Sequence, residues 1–157
     1  MDDELDNGPT TLRPGTPVRQ FSVMLQNRAG ALSSLVHLLK THRIVLLGFS
    51  VRDSNDATIV RLVVSDPESA EQVFIERGIP FTTTSMAVME LTSGAELLSE
   101  ALDCLFQAET NIHFAYNLVP CPEGRSLLAL CLEDYDFGCS VLRKSGFKLL
   151  FQEDLSR

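Results

Sequence analysis

Gly30-Ala31-Leu32-Ser33-Ser34-Leu35-Val36-His37-Leu38-Leu39 (residues 30–39) sets Leu32, Leu35, Val36 and Leu39 at i, i+3, i+4 and i+7, the spacing of one apolar helix face. Sixty-six residues further on, Leu98, Ala101, Leu102 and Leu105 repeat that spacing. A second pair of landmarks keeps step with the first. Asp66 precedes Pro67 as a helix start and Gly78 follows as a helix stop; Asp134 and Gly146 stand 68 residues beyond them. The two extra residues fall in the hairpin Val119-Pro120-Cys121-Pro122-Glu123-Gly124, where an insertion costs little. A helix face, a turn acid and a stop glycine that recur together define an internal repeat.

The rest of the chain falls into place around these helices. Residues 1–17 mix acids with prolines and glycines without periodicity, and are expected to form a disordered acidic tail. Gln20–Gln26 reads as a strand, Asn27-Arg28-Ala29-Gly30 as a turn with Asn27 as helix N-cap, and the first helix ends near His42. Ile44–Arg52 and Ala57–Val64 form a hairpin over Asp53-Ser54-Asn55-Asp56. A second helix from Asp66, with Ala70, Val73 and Phe74 inward, leads to a strand over Ile79–Thr84. This is the β-α-β-β-α-β order of the ferredoxin-like class. Strands at 86–91, 111–118, 126–132 and 147–151, with helices at 93–107 and 136–145, repeat it. The expectation is an α+β fold of two ferredoxin-like βαββαβ repeats, residues 18–84 and 85–157, each an antiparallel sheet with helices on one face.

Composition narrows the function. Two domains within 157 residues are each too small to bury a large core alone, so they lean on one another or on a second chain. The net charge of −8 argues against nucleic acid, which demands the opposite sign. No apolar run is long enough for a membrane span. The acidic start Met1-Asp2-Asp3-Glu4 is unlike a secretion signal, so the expected location is the cytoplasm. Cys104, Cys121, Cys131 and Cys139 contain no CxxC pair, and His37, His42 and His113 show no metal-ligand spacing. GxSxG, P-loop and GxGxxG signatures are missing too, and no cofactor is expected.

Asn27-Arg28-Ala29-Gly30-Ala31-Leu32 resembles the D-x-x-G-x-L opening of the ACT domain, a small-molecule-sensing βαββαβ module of amino-acid metabolism. Glu109-Thr110-Asn111-Ile112-His113-Phe114-Ala115-Tyr116 is similar to the G-I-N-I-x-x-x-Y segment of ACT repeats, and the hairpin Asp53–Val64 resembles that of tandem ACT proteins. The resemblance implies paired modules with an amino acid bound where they meet, and no catalytic role. Regulation of an enzyme of amino-acid biosynthesis and a homodimer follow as expectations. The small regulatory subunit of acetolactate synthase, which senses a branched-chain amino acid, is a weaker match because the second half here does not resemble its C-terminal part.

The chemistry of the first turn supports a binding site on its own terms. A ligand carboxylate beside Asn27, Arg28, Ala29, Gly30, Ala31 and Leu32 would meet free backbone N–H groups at the positive end of a helix, with no Cβ on Gly30 in the way. Carbonyls for its ammonium are expected from Leu46 and Leu47 or from Asn111, Ile112 and His113, and the apolar wall these form favours valine, leucine or isoleucine. In the second repeat Ser93-Gly94-Ala95-Glu96 reads as a capping box that fills the equivalent anion site with the chain's own carboxylate. Two other readings stay open: a ligand-free assembly module on the same fold, and a small enzyme using Asp53, Asp56 or His113.

Overall fold

The computed structural model describes residues 15–26, 29–92, 95–119 and 126–156. β1 (Val18–Leu25) buries both faces, with Phe21 and Val23 directed to one side and Val18 and Gln20 to the other. α1 (Ala31–Thr41) lays Leu35 and Leu39 over the first of these sides. β2 (Leu46–Asp53) and β3 (Thr58–Val64) form the expected hairpin, closed where Ser54 N and Oγ both donate to Ala57 O at 3.1 and 2.7 Å. α2 (Pro67–Glu76) starts as its sequence dictates: Asp66 Oδ1 accepts from Ser69 N at 3.1 Å, and Pro67 occupies the first turn, where no N–H is needed. Gly78, at φ 65°, ends it in the left-handed region.

β4 (Phe81–Leu91) departs from expectation, because the strands read as Ile79–Thr84 and Met86–Leu91 are one continuous strand. Ser85 between them is neither Gly nor Pro and does not interrupt extension. The repeat boundary expected at 84/85 falls inside this strand. Phe81–Met86 pair with β1, and Ala87–Leu91 pair with β6 (Ser126–Leu132). β4 is thus the last strand of one half and the first of the next.

The second half repeats the pattern with α3 (Ala95–Gln107), β5 (Ile112–Asn117), α4 (Tyr135–Lys144) and a two-residue β7 (Leu149–Leu150). Asp134 caps α4 through Phe137 N at 3.1 Å, as Asp66 caps α2, and Gly146 at φ 89° matches Gly78. The strand order is β2-β3-β1-β4-β6-β5, with β7 on β4, so each half has the ferredoxin-like arrangement and helices on one face. The strand expected at 147–151 is cut short by α5 (Gln152–Leu155), a turn of helix the sequence reading did not foresee.

Three cores result. Phe21, Phe74 and Phe81 cluster under α1 and α2, the first two edge to face at 5.4 Å. Met89, Leu105, Leu130 and Leu142 fill the space under α3 and α4. The third core, with Val18, Val63, Met86, Val88, Leu118 and Ala129, lies between the inner faces of the two half-sheets. The sheet curls until its outer strands touch: Val119 N donates to Leu47 O, and Gly48 of β2 packs against Leu118. The halves lean on each other, as their small size requires.

The tail expected to be free through residue 17 is tied down from Gly15. Glu153 Oε1 accepts from Gly15 N and Thr16 N, and Thr16 O accepts from Gln152 N at 2.9 Å. The rest of that expectation, residues 1–14, lies outside the described residues.

Candidate functional site

Among the described residues no helix is long and apolar enough to cross a membrane, and no cluster of His, Cys, Asp and Glu is placed to hold a metal. The chemistry-bearing feature is the start of α1. Its N-cap is Gly30, at φ 85° and ψ −6°, and not Asn27; Gly30 O accepts from Ser34 N at 2.9 Å. Asn27 and Arg28 lie outside the described residues. α2 and α4 each spend a capping carboxylate on their first turn, whereas Gly30 offers no side chain and the first turn of α1 holds no acid. The partial positive charge of this helix end is therefore not offset by its own sequence.

A cleft of about 620 Å³ opens beside it, walled by the end of β1, the start and one face of α1 and the segment that follows α2. Ala29, Gly30, Ala31 and Ser34 contribute the helix start, Leu25, Leu35, Leu38 and Ile79 the apolar wall, and Arg77 a guanidinium. The volume suits a small molecule. The sequence reading missed Arg77 and Ser34. The signal for Arg77 was present: Gly78 stops α2, and in a βαββαβ unit the second helix ends beside the start of the first, which brings the residue that caps α2, Arg77, to this loop.

The other expected site residues do not line this cleft. Leu32 and Leu46 pack against the first outer core, and Leu47 belongs to the inner core, its carbonyl already engaged by Val119 N. Ile112 packs under α3 and α4. A register shift in β5 between Ile112 and Phe114 leaves His113 exposed, while Asn111 Nδ2 donates to Glu133 Oε2 at 3.1 Å. Periodicity located these strands but not which face each residue takes, so a single chain gathers Ala29, Gly30 and Ala31 and separates the rest. The expected capping residues Ser93 and Gly94 lie outside the described residues; Glu96 stands exposed in the first turn of α3.

The whole of the described fold carries one family signature: residues 16–155 match the ACT domain pair. The chain belongs to the ACT domain pair family. No curated protein matches it. Among solved structures, a protein from Bacteroides thetaiotaomicron superposes with a TM-score of 0.82 at 21% identity, over 90% of this chain and 97% of the other. The ligand-free regulatory subunit of aspartate kinase from Thermus thermophilus gives 0.56 at 11% identity, over 82% of this chain and 91% of that one. Its counterpart from Thermus flavus gives 0.51 at 15%, over 82% and 90%. At these identities the likeness is one of fold. The ACT pair here therefore shares its architecture with regulatory subunits, along nearly their full length.

Proposed function

We propose that this ACT domain pair is a non-catalytic regulatory protein of the cytoplasm that binds a free amino acid and modulates a partner enzyme of amino-acid metabolism. The observation that carries the reading is the uncapped start of α1, with Gly30 at its head, opening into a cleft of about 620 Å³. A ligand carboxylate belongs at the free N–H groups of the first turn of α1, that of Ala31 foremost. Arg77 adds a full positive charge to the partial one of the helix end. Leu25, Leu35, Leu38 and Ile79 favour a branched-chain side chain over a charged one, taking the part first assigned to Leu46, Leu47 and Ile112. The exposed Glu96 at the equivalent end of α3 repels a carboxylate, so one site per chain is the reading.

The experiment is a thermal-shift screen of the purified chain against the proteinogenic amino acids at millimolar concentration. Ligand at about 100 times its Kd adds roughly 2.7 kcal/mol to the folded state. Valine, leucine or isoleucine should raise Tm. Because Gly30 is left-handed and a Cβ there meets open space, Gly30→Asn and Gly30→Asp should both fold with modest strain. The Asp variant, with a carboxylate in the anion site, should lose the response that the Asn variant keeps in part. A flat panel overturns the proposal in favour of a ligand-free assembly module.

A further inference from the structure

α1 ends beside a groove of about 390 Å³ lined by Val36, Leu39, Ile44 and Val45 together with Lys40 and Arg43. Leu39 and Ile44 are buried at its floor, while Val36 and Val45 stand 38% and 52% exposed. Lys40 and Arg43 are exposed too, and neither has a carboxylate partner among the described residues. Arg43 holds a left-handed φ of 57°, at the place where α2 and α4 are followed by Gly78 and Gly146. A Cβ makes that conformation costly, so a cation stands here against backbone strain. The groove is apolar at its floor and positive at its edge.

The chain enters the fold at the same end of the sheet. Thr16 O accepts from Gln152 N at 2.9 Å, and Gln152 Nε2 donates to Val64 O at 3.1 Å. Val64 pairs with Leu46, and Ser65 N donates to Val45 O at 2.9 Å, which carries this line of bonds to the groove wall. Two hydrogen bonds, one glutamine and one strand spacing place Thr16 within about 20 Å of Leu46. Fourteen residues precede Gly15, among them Met1-Asp2-Asp3-Glu4-Leu5-Asp6, four carboxylates around two apolar side chains. Leu5 stands ten residues ahead of Gly15, a stretch that spans up to about 33–36 Å. The groove is within its reach. The equivalent surface of the second half has the wrong sign: residues 95–109 contain Glu96, Glu100, Asp103 and Glu109 and no Lys or Arg, with Glu109 in the left-handed place of Arg43 at φ 55°. Acid would meet acid there.

We propose that the acidic segment Asp2–Asp6 occupies the α1 groove of its own chain, with Leu5 against Val36 and Val45 and its carboxylates facing Lys40 and Arg43. Segment and groove supply what each other lacks, an anion for the two cations and an apolar surface for the leucine. Tethered by ten residues, the segment is present at an effective concentration of about a millimolar, so modest contacts suffice to seat it. While seated, it closes the groove to other proteins. The cleft at Gly30 lies at the other end of α1, and this inference does not rest on what binds there.

The test is carbodiimide coupling of the full chain, which joins a carboxylate to an amine held beside it. The chain has three lysines, Lys40, Lys144 and Lys148, so the site of coupling is informative. Mass spectrometry of the digested chain should find Asp2, Asp3, Glu4 or Asp6 joined to Lys40 at least about tenfold more than to Lys144 or Lys148. In a mixture of unlabelled and heavy-nitrogen chains, each joined pair of peptides should carry a single label, because the contact lies within one chain. Leu5→Ser keeps every carboxylate, should match wild type by circular dichroism, and should cut the Lys40 product about fivefold or more. Added salt should lower it as well. No product at Lys40, equal products at all three lysines, or a Leu5→Ser variant with the wild-type yield overturns the proposal. So do pairs of mixed label, which would put another copy's segment in the groove.

Discussion

Tyr116 of β5 donates its phenolic hydrogen to Gln20 Oε1 of β1 at 2.7 Å, a bond that joins the second half of the chain to the first. Gln20 is fully buried, and its Nε2 donates onward to Ser22 Oγ at 3.3 Å. Beside this pair the Arg61 guanidinium lies 3.8 Å from the centre of the Phe114 ring, which stacks on Tyr116 at 6.4 Å. This polar seam lies against an otherwise apolar inner core and fixes how the two half-sheets face each other. Tyr116→Phe strands the buried carboxamide oxygen and should cost about 1–3 kcal/mol in urea unfolding. Gln20→Leu in the same chain removes both partners and should recover part of that loss. Equal, additive losses would mean the bond contributes nothing.

The two tyrosines, Tyr116 and Tyr135, should also make the fold sensitive to alkali. Burial pushes both phenols up; near Tyr116 the charge of Arg61 opposes this incompletely, and near Tyr135 the thiol of Cys139 adds to it. The folded chain thus holds protons that the unfolded chain releases near its ordinary value of about pH 10. The stability this represents is fully present below about pH 10 and is lost as pH rises beyond it. Urea midpoints should fall steeply there, tyrosinate absorbance should appear together with unfolding, and Tyr116→Phe should fall less steeply. A tyrosinate signal that titrates near pH 10 while the fold persists would contradict this.

The sequence disclosed what local chemistry decides and concealed what packing decides. Asp66 and Asp134 announce helix starts because a carboxylate just ahead of a first turn has one obvious use, and both cap as read. Gly78 and Gly146 announce helix ends because left-handed backbone favours glycine. The fusion of two strands into β4 was hidden, since nothing in Thr84-Ser85-Met86 distinguishes a bend from a continuation. The inner core was hidden as well. After Ser126, the β6 run Leu127-Leu128-Ala129-Leu130-Cys131-Leu132 is buried on both faces and shows no alternation to tell its helix-covered side from its inner side. The site followed the same division: Gly30 was legible from its turn, whereas the faces of Leu47 and Ile112 depend on how the sheet curls.

Gln152 ties the end of the chain to its beginning. Its side chain, 1% exposed, accepts from Arg19 N at 3.0 Å and donates to Val64 O at 3.1 Å, engaging backbone groups of β1 and β3 together. Gln152→Leu keeps the volume but abandons both groups away from water, and should cost about 2–4 kcal/mol. The amide hydrogen of Arg19 should exchange far faster in that variant, while those of α3 change only with global stability. Unaltered exchange at Arg19 would show that water takes over the bond.

Gly48 lies where the curled sheet closes. A Cβ built there would collide with Cδ2 of Leu118 and come within 3.4 Å of Asn117 O and Leu118 Cα. Leu118 is 1% exposed, so its side chain has no free space to retreat into. Gly48→Ala should therefore part β2 from β5 at the Leu47–Val119 bond and destabilise the chain by about 1–3 kcal/mol. Leu118→Ala should cost more, about 2–5 kcal/mol, because it leaves a cavity. In the double variant the alanine at 48 fills part of that cavity, so the two costs should add to less than their sum. Strict additivity would mean that Gly48 and Leu118 do not share the seam.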